Sequence, residues 1–201
     1  PMGCLLPQNI DNFIVAEKSI SVTNIVNGTT RLQPVVLQIG QAAGVIAALS
    51  INENLSPAKV SVRKVQNQLL EQGGYLLPYL DVPKDHPRFK TYQRIGATGI
   101  LKGTGMNVGW ENQTWFFPEK DLTQLDLDHA ISVLQYFRDI PLPVSTKNED
   151  IIDWFKKLHS IFLSDNHIPD WIKNPKTLSK FLGTEVDPMG NISRGNFALL
   201  M

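Results

Sequence analysis

The sequence predicts a mostly α-helical chain with one small β element, an α+β arrangement. Three observations predict it. Apolar residues recur at three- and four-residue spacing in several separate stretches, the period of a helix face. Most of those stretches are bracketed by helix start and stop residues: serine, threonine, asparagine or proline before, glycine after. Only "NFIVA", from Asn12 to Ala16, has the length and polar flanks of a buried strand.

In chain order, "NFIVA" is followed by "NIVNGTT", which reads as a loop with a turn at Asn27-Gly28. "RLQPVVLQIGQAAGVIAALS" then predicts a helix from about Pro34 to Ile51, because proline suits a first helical turn, where its missing N–H would be unpaired anyway. "SVRKVQNQLLEQGG" is an amphipathic helix with Ser61 as N-cap, Val62, Val65, Leu69 and Leu70 on one face, and Gly73-Gly74 as the stop. Composition shifts at Asp81, so domains are expected at residues 1–80 and 81–201. The second reads as helices joined by loops rich in proline, asparagine and glycine. "PRFKTYQRIGATG" places Phe89, Tyr92 and Ile95 together before Gly99. "TQLDLDHAISVLQYF" is capped by Thr123 and aligns Leu127, Ala130, Ile131 and Leu134. "EDIIDWFKKLHSIFL" aligns Ile151, Ile152, Phe155, Leu158 and Phe162. "NPKTLSKFLG" and "SRGNFALLM" complete the set, the last opening at Ser193.

Composition narrows the function classes. Nineteen basic and nineteen acidic residues cancel, so no net field draws the chain to nucleic acid or an acidic membrane. A single cysteine, Cys4, excludes an internal disulfide and a cysteine-rich zinc site. No apolar run is expected to be long enough to span a bilayer. Both ends read as cut, which predicts a fragment of a longer protein.

The helix at Pro34 carries almost no bulk at Gly40, Ala42, Ala43, Gly44, Ala47 and Ala48. One reading is close packing against a neighbour, which offsets the roughly 1 kcal/mol that a mid-helix glycine costs. The other adds a ligand at the helix N-terminus, where unpaired N–H groups and the helix dipole attract negative charge. "NGTTR" would supply close backbone approach and a cation there.

"LLPQNIDNFIVAEKSISVTNIVNGTTRLQPVVLQIGQAAGVIAALS" resembles the C-terminal end of the FAD-binding domain of the FAD-dependent oxidoreductase family, which includes bacterial proteins often labelled xanthan lyases. The match lies at Leu6-Pro7, Asn9 to Asn12, Val15-Ala16, Ile20-Ser21, Gly28, Arg31, Pro34 and Gly40 to Gly44, and it extends over roughly residues 5–77. The resemblance implies FAD as cofactor, a helix N-terminus facing the flavin, and Gly28, Arg31, Gln33, Pro34 and Val35 as flavin-side residues. It also implies an upstream dinucleotide-binding domain in the same protein, because no G-x-G-x-x-G loop follows a strand in this chain. The chain alone is therefore expected to bind FAD poorly and to be inactive. Two departures stand out. Glu17 replaces the glycine of the family's "AGR", and Thr23 and Asn24 stand where a histidine is often found. No catalytic residue is assignable, and no acid–base constellation for eliminating a uronic sugar is visible.

"DVPKDHPRFKTYQRIGATGILKGTG" with "FFPEKDLTQLDLDHAISVL" resembles an S-layer homology repeat, and "VDPMGNISRGNFALLM" resembles the closing half of another copy. Such modules are helix–loop–helix units that bind cell-envelope polysaccharide through the arginine of a "TRAE"-like motif. Here the motif reads "TQLD", with Gln124 for arginine, and "SRGN", which keeps Arg194. Arg194 is thus a weak glycan-binding candidate. The alternative function is a non-catalytic envelope or polysaccharide-binding module with a relic flavin segment. Otherwise Thr123 and Ser193 are N-caps in a structural module.

The histidines His86, His129, His159 and His167 lack metal-ligand spacing, so no metal site is assigned, and His86 reads as a local turn hydrogen-bonder. Asp126 and Asp128 read as a solvated helix side. Trp110, Trp115, Phe116 and Phe117 read as an aromatic loop that either covers a core or offers a sugar-stacking platform.

Overall fold

The computed structural model describes residues 1–138, 175–182 and 192–201. Within them the chain forms two compact units, Pro1–Leu76 and Leu77–Met201. The architecture is mostly helical with one two-stranded sheet.

In the first unit, α1 (Asn24–Thr30) and α2 (Gln33–Asn52) follow an N-terminal run of 3-10 turns, and α3 (Val62–Glu71) closes the unit. The loop expected at "NIVNGTT" is instead α1. Thr23 Oγ1 accepts the Val26 N–H at 3.3 Å, and Gly28 sits inside the helix rather than in a turn. A threonine N-cap outweighs the Asn-Gly turn signal here, because capping satisfies a donor that would otherwise be unpaired. The strand expected at Asn12–Ala16 does not form. Those residues are extended, with the Val15 N–H donated to the Leu5 carbonyl at 2.8 Å, and no ladder partner lies beside them among the described residues. A strand needs a neighbour, and the small β element lies elsewhere.

The core of this unit gathers Leu5, Ala43, Val45, Ile46, Val60 and Val65, with Ile14, Ala16, Ile20, Ile39 and Leu69 packed around it. Helix α3 docks on α2 through Val65, with Leu69 packed beside it, and Leu70 is buried, while Val62 at its start is exposed. Lys64 Nζ reaches Glu53 Oε1 at 2.8 Å and pins α3 to the loop after α2. Ser61 occupies the N-cap position of α3 but makes no side-chain cap bond. Gly73 adopts φ +76° and Gly74 brings its N–H to the Leu69 carbonyl at 2.8 Å. A Cβ on Gly74 would lie 2.9 Å from that oxygen, so both glycines of the stop are needed.

In the second unit, α4 (Phe89–Thr98) leads into a hairpin, β1 (Thr104–Val108) and β2 (Glu111–Trp115), followed by α5 (Gln124–Arg138), α6 (Pro175–Leu182) and α7 (Arg194–Leu200). The hairpin was not expected in a helical region. The strands are antiparallel, with Thr104 opposite Trp115 and Val108 opposite Glu111. Gly109, at φ +59°, holds the first central place of the two-residue turn, where a positive φ matches the strand twist. Leu80 donates its N–H to the Thr114 carbonyl at 3.0 Å and covers the outer edge of β2.

Tyr79, Tyr92 and Phe116 form the aromatic centre of this unit, with ring centroids 5.2 Å and 4.9 Å from Phe116. Phe89, Ile95, Leu101, Leu127, Ala130, Ile131 and Phe197 are buried with them. Gln93 is fully buried, and its amide bonds both the N–H and the carbonyl of Leu77 at 2.8 Å, as a neighbouring strand would. The caps expected at Thr123 and Ser193 are present. Thr123 accepts the Asp126 N–H at 3.1 Å, and Asp126 accepts the Thr123 N–H in return at 3.1 Å, a reciprocal box. Ser193 Oγ accepts the Asn196 N–H at 3.2 Å. The helix expected over 149–163 lies outside the described residues, as do Asn174, Gly183, His159 and His167.

Two substitutions test this packing. A Cβ on Gly96 would lie 2.2 Å from Tyr79 Oη and 2.4 Å from Leu77 Cδ1. Gly96→Ala should therefore destabilise by about 1–3 kcal/mol, read as a lower urea midpoint at unchanged slope. Glu17 sits in the left-handed region at φ +57°, where a glutamate is strained. Glu17→Gly should raise the midpoint, by about 0.5–1 kcal/mol of stability.

Candidate functional site

Helix α2 has two unlike sides. Val36, Ala43, Ile46 and Ser50 are buried in the unit. On the other side Leu37, Gly40, Gly44, Ala48 and Ile51 are exposed, and Leu37 and Ile51 keep 74% and 79% of their surface open. A Cβ added at Gly40 or Gly44 would meet nothing within 4 Å. The close packing expected of these glycines is thus not made by the unit itself. The helix is also long and apolar enough by length and composition to cross a membrane, and it holds no charged residue. That corrects the expectation that no such run exists. Its contacts with Leu5, Val60 and Val65 are those of a core helix.

The five flavin-side candidates gather at one place, the α1–α2 junction. Gly28 lies in α1, Arg31 is its C-cap, and Gln33, Pro34 and Val35 form the first turn of α2. Gly28, Arg31, Gln33 and Pro34 are exposed and Val35 is half-buried. No side chain caps α2, and its first turn holds no acidic residue. Pro34 brings no N–H, and the Val35 N–H makes no hydrogen bond among the described residues. The junction therefore presents an uncapped positive dipole end two residues after Arg31, the C-cap of α1, a setting suited to an anionic or polarised acceptor. The family's "AGR" glycine falls on Glu17, and its φ of +57° gives a physical reason for a glycine there.

Arg194 lies in a different setting. It is buried at 7% exposure, its Nε donates to the Phe116 carbonyl at 3.1 Å, and its Nη2 donates to the Lys102 carbonyl at 2.6 Å. Its Nη1 pairs with Asp126 Oδ1. Each nitrogen of the guanidinium thus has a partner inside the fold. Gln124, the residue after Thr123, is exposed and bonds Asp128 Oδ1 at 2.8 Å. Residues 118–122 and 192–195 pair antiparallel. Leu122 donates to the Ile192 carbonyl at 2.7 Å and Arg194 donates to the Lys120 carbonyl at 2.8 Å. In that register Leu122 meets Ile192, the two residues that directly precede the capping Thr123 and Ser193.

The remaining candidates separate. The Phe116 and Phe117 N–H groups both donate to the Asp81 carboxylate, at 2.8 Å and 2.6 Å. That grip holds Phe117 at φ +55°, with its ring stacked on Trp115 and Lys120 Nζ 3.5 Å from its centroid. Phe116 is core, whereas Trp110 at the hairpin tip is fully exposed. His86 Nδ1 accepts the Arg88 N–H at 3.0 Å, the local bond expected of it. His129 Nε2 donates to the Gly99 carbonyl at 2.8 Å. Among the described residues no three histidine, cysteine or acidic side chains converge as a metal site.

Asp126, read from sequence as solvated, is instead a working partner. Burial pushes its carboxyl up, but the hydrogen bonds from Thr123 and Arg194 and the arginine's charge outweigh that and hold it below the usual value. A lowered folded-state value means its stabilisation is complete above the unfolded value near 3.8 and is lost as pH falls through the folded one. Acid titration of the far-ultraviolet signal should show that loss below pH about 4. Arg194→Met should remove most of it and cost about 3 kcal/mol at neutral pH, because it strands a carboxylate that is partly buried.

Comparison with known families places only the first unit. No curated protein and no solved structure matches the chain. Residues 1–69 match the model of a family described as FAD dependent oxidoreductase, and that stretch is an FAD-dependent-oxidoreductase-related segment.

Proposed function

We propose that this chain is the C-terminal part of an FAD-dependent oxidoreductase, in which residues 1 to about 76 finish the flavin-binding domain. The observation that carries the reading is the coincidence of the family match over residues 1–69 with the uncapped start of α2 beside Arg31. Gly28 would allow close backbone approach, Arg31 would face negative charge, and the first turn at Gln33, Pro34 and Val35 would point its dipole at the isoalloxazine. FAD, when bound, accepts and passes on electrons or a hydride equivalent. The chain's own contribution is a fixed positive field at the ring, present before charge develops there. The open side of α2, from Leu37 through Gly40 and Gly44 to Ile51, is where an upstream dinucleotide-binding domain of the same protein would pack. Gly40 and Gly44 would let two backbones approach.

The second unit we read as an S-layer-homology-like helical appendage with a structural role. The meeting of Leu122 with Ile192 supports two related motifs lying against each other. The enclosure of Arg194 favours a structural use of that arginine over polysaccharide recognition.

Flavin content tests the proposal. The full reading frame, expressed and purified, should be yellow or should take up added FAD, and the present chain alone should stay colourless. Arg31→Ala in the full protein should weaken FAD binding about tenfold, close to the value of one charge-assisted contact. A full-length protein that neither carries nor takes up flavin would overturn the reading.

A further inference from the structure

We draw no further inference here: the strongest candidate, the exposed face of the β1–β2 hairpin with Met106 and Val108 on its outer strand and Trp110 at its tip, carries nothing because nothing in the structure shows what covers it.

Discussion

A helix that is apolar on two sides must be covered on two sides, and α2 is covered on one. Its twenty residues hold no charge. Ala43, Val45 and Ile46 are covered by Leu5, Val60, Val65 and their neighbours. Leu37 and Ile51 are not, and the strip of Gly40, Gly44 and Ala48 between them is open. Burying one large aliphatic side chain is worth about 1.5–3 kcal/mol, so an open strip of this length is a strong demand for a partner. The same helix that would aim at a flavin would also be the joint to the domain that holds the rest of it.

The second unit is organised differently. Its aromatic centre is small, and polar clamps at the segment ends do much of the joining. The Asp81 carboxylate takes two N–H groups after β2, the Gln93 amide replaces a strand neighbour for Leu77, and the Arg88 guanidinium holds the Leu182 carbonyl and Asn196. Arg194 ties the segment before the hairpin, the segment after it and the first turn of α5. Buried polar groups of this kind stabilise only when each is satisfied, and removing one partner exposes the cost of the other.

Helices with caps and a clean apolar face were legible from sequence alone. Ser193, Thr123, Gly99 and Gly73 mark ends where the structure places them, and Pro34 marks the first turn of α2. What failed had a non-local cause. "NFIVA" has strand chemistry but no neighbouring strand, and "NIVNGTT" has turn chemistry overruled by a threonine cap. The hairpin escaped notice because β1 is exposed at every position, so no alternation of apolar and polar residues marks it. The family motif points to the α1–α2 junction, but it does not show that a Cβ at Gly40 or Gly44 would meet nothing among the described residues. The partners of Arg194 lie 68, 78 and 92 positions away, beyond the reach of any local pattern.

Those separations bear on how the second unit is made. Contacts this distant in sequence form late, because a long loop must close before they return any energy. During synthesis, the residues around Phe116 leave the ribosome well before α7 can reach them. Until then the Lys102 and Phe116 carbonyls and the Asp126 carboxylate face water or a provisional partner. The unit is therefore completed from its far end, and a nascent chain stalled before Ile192 would display an unfilled socket suited to a guanidinium.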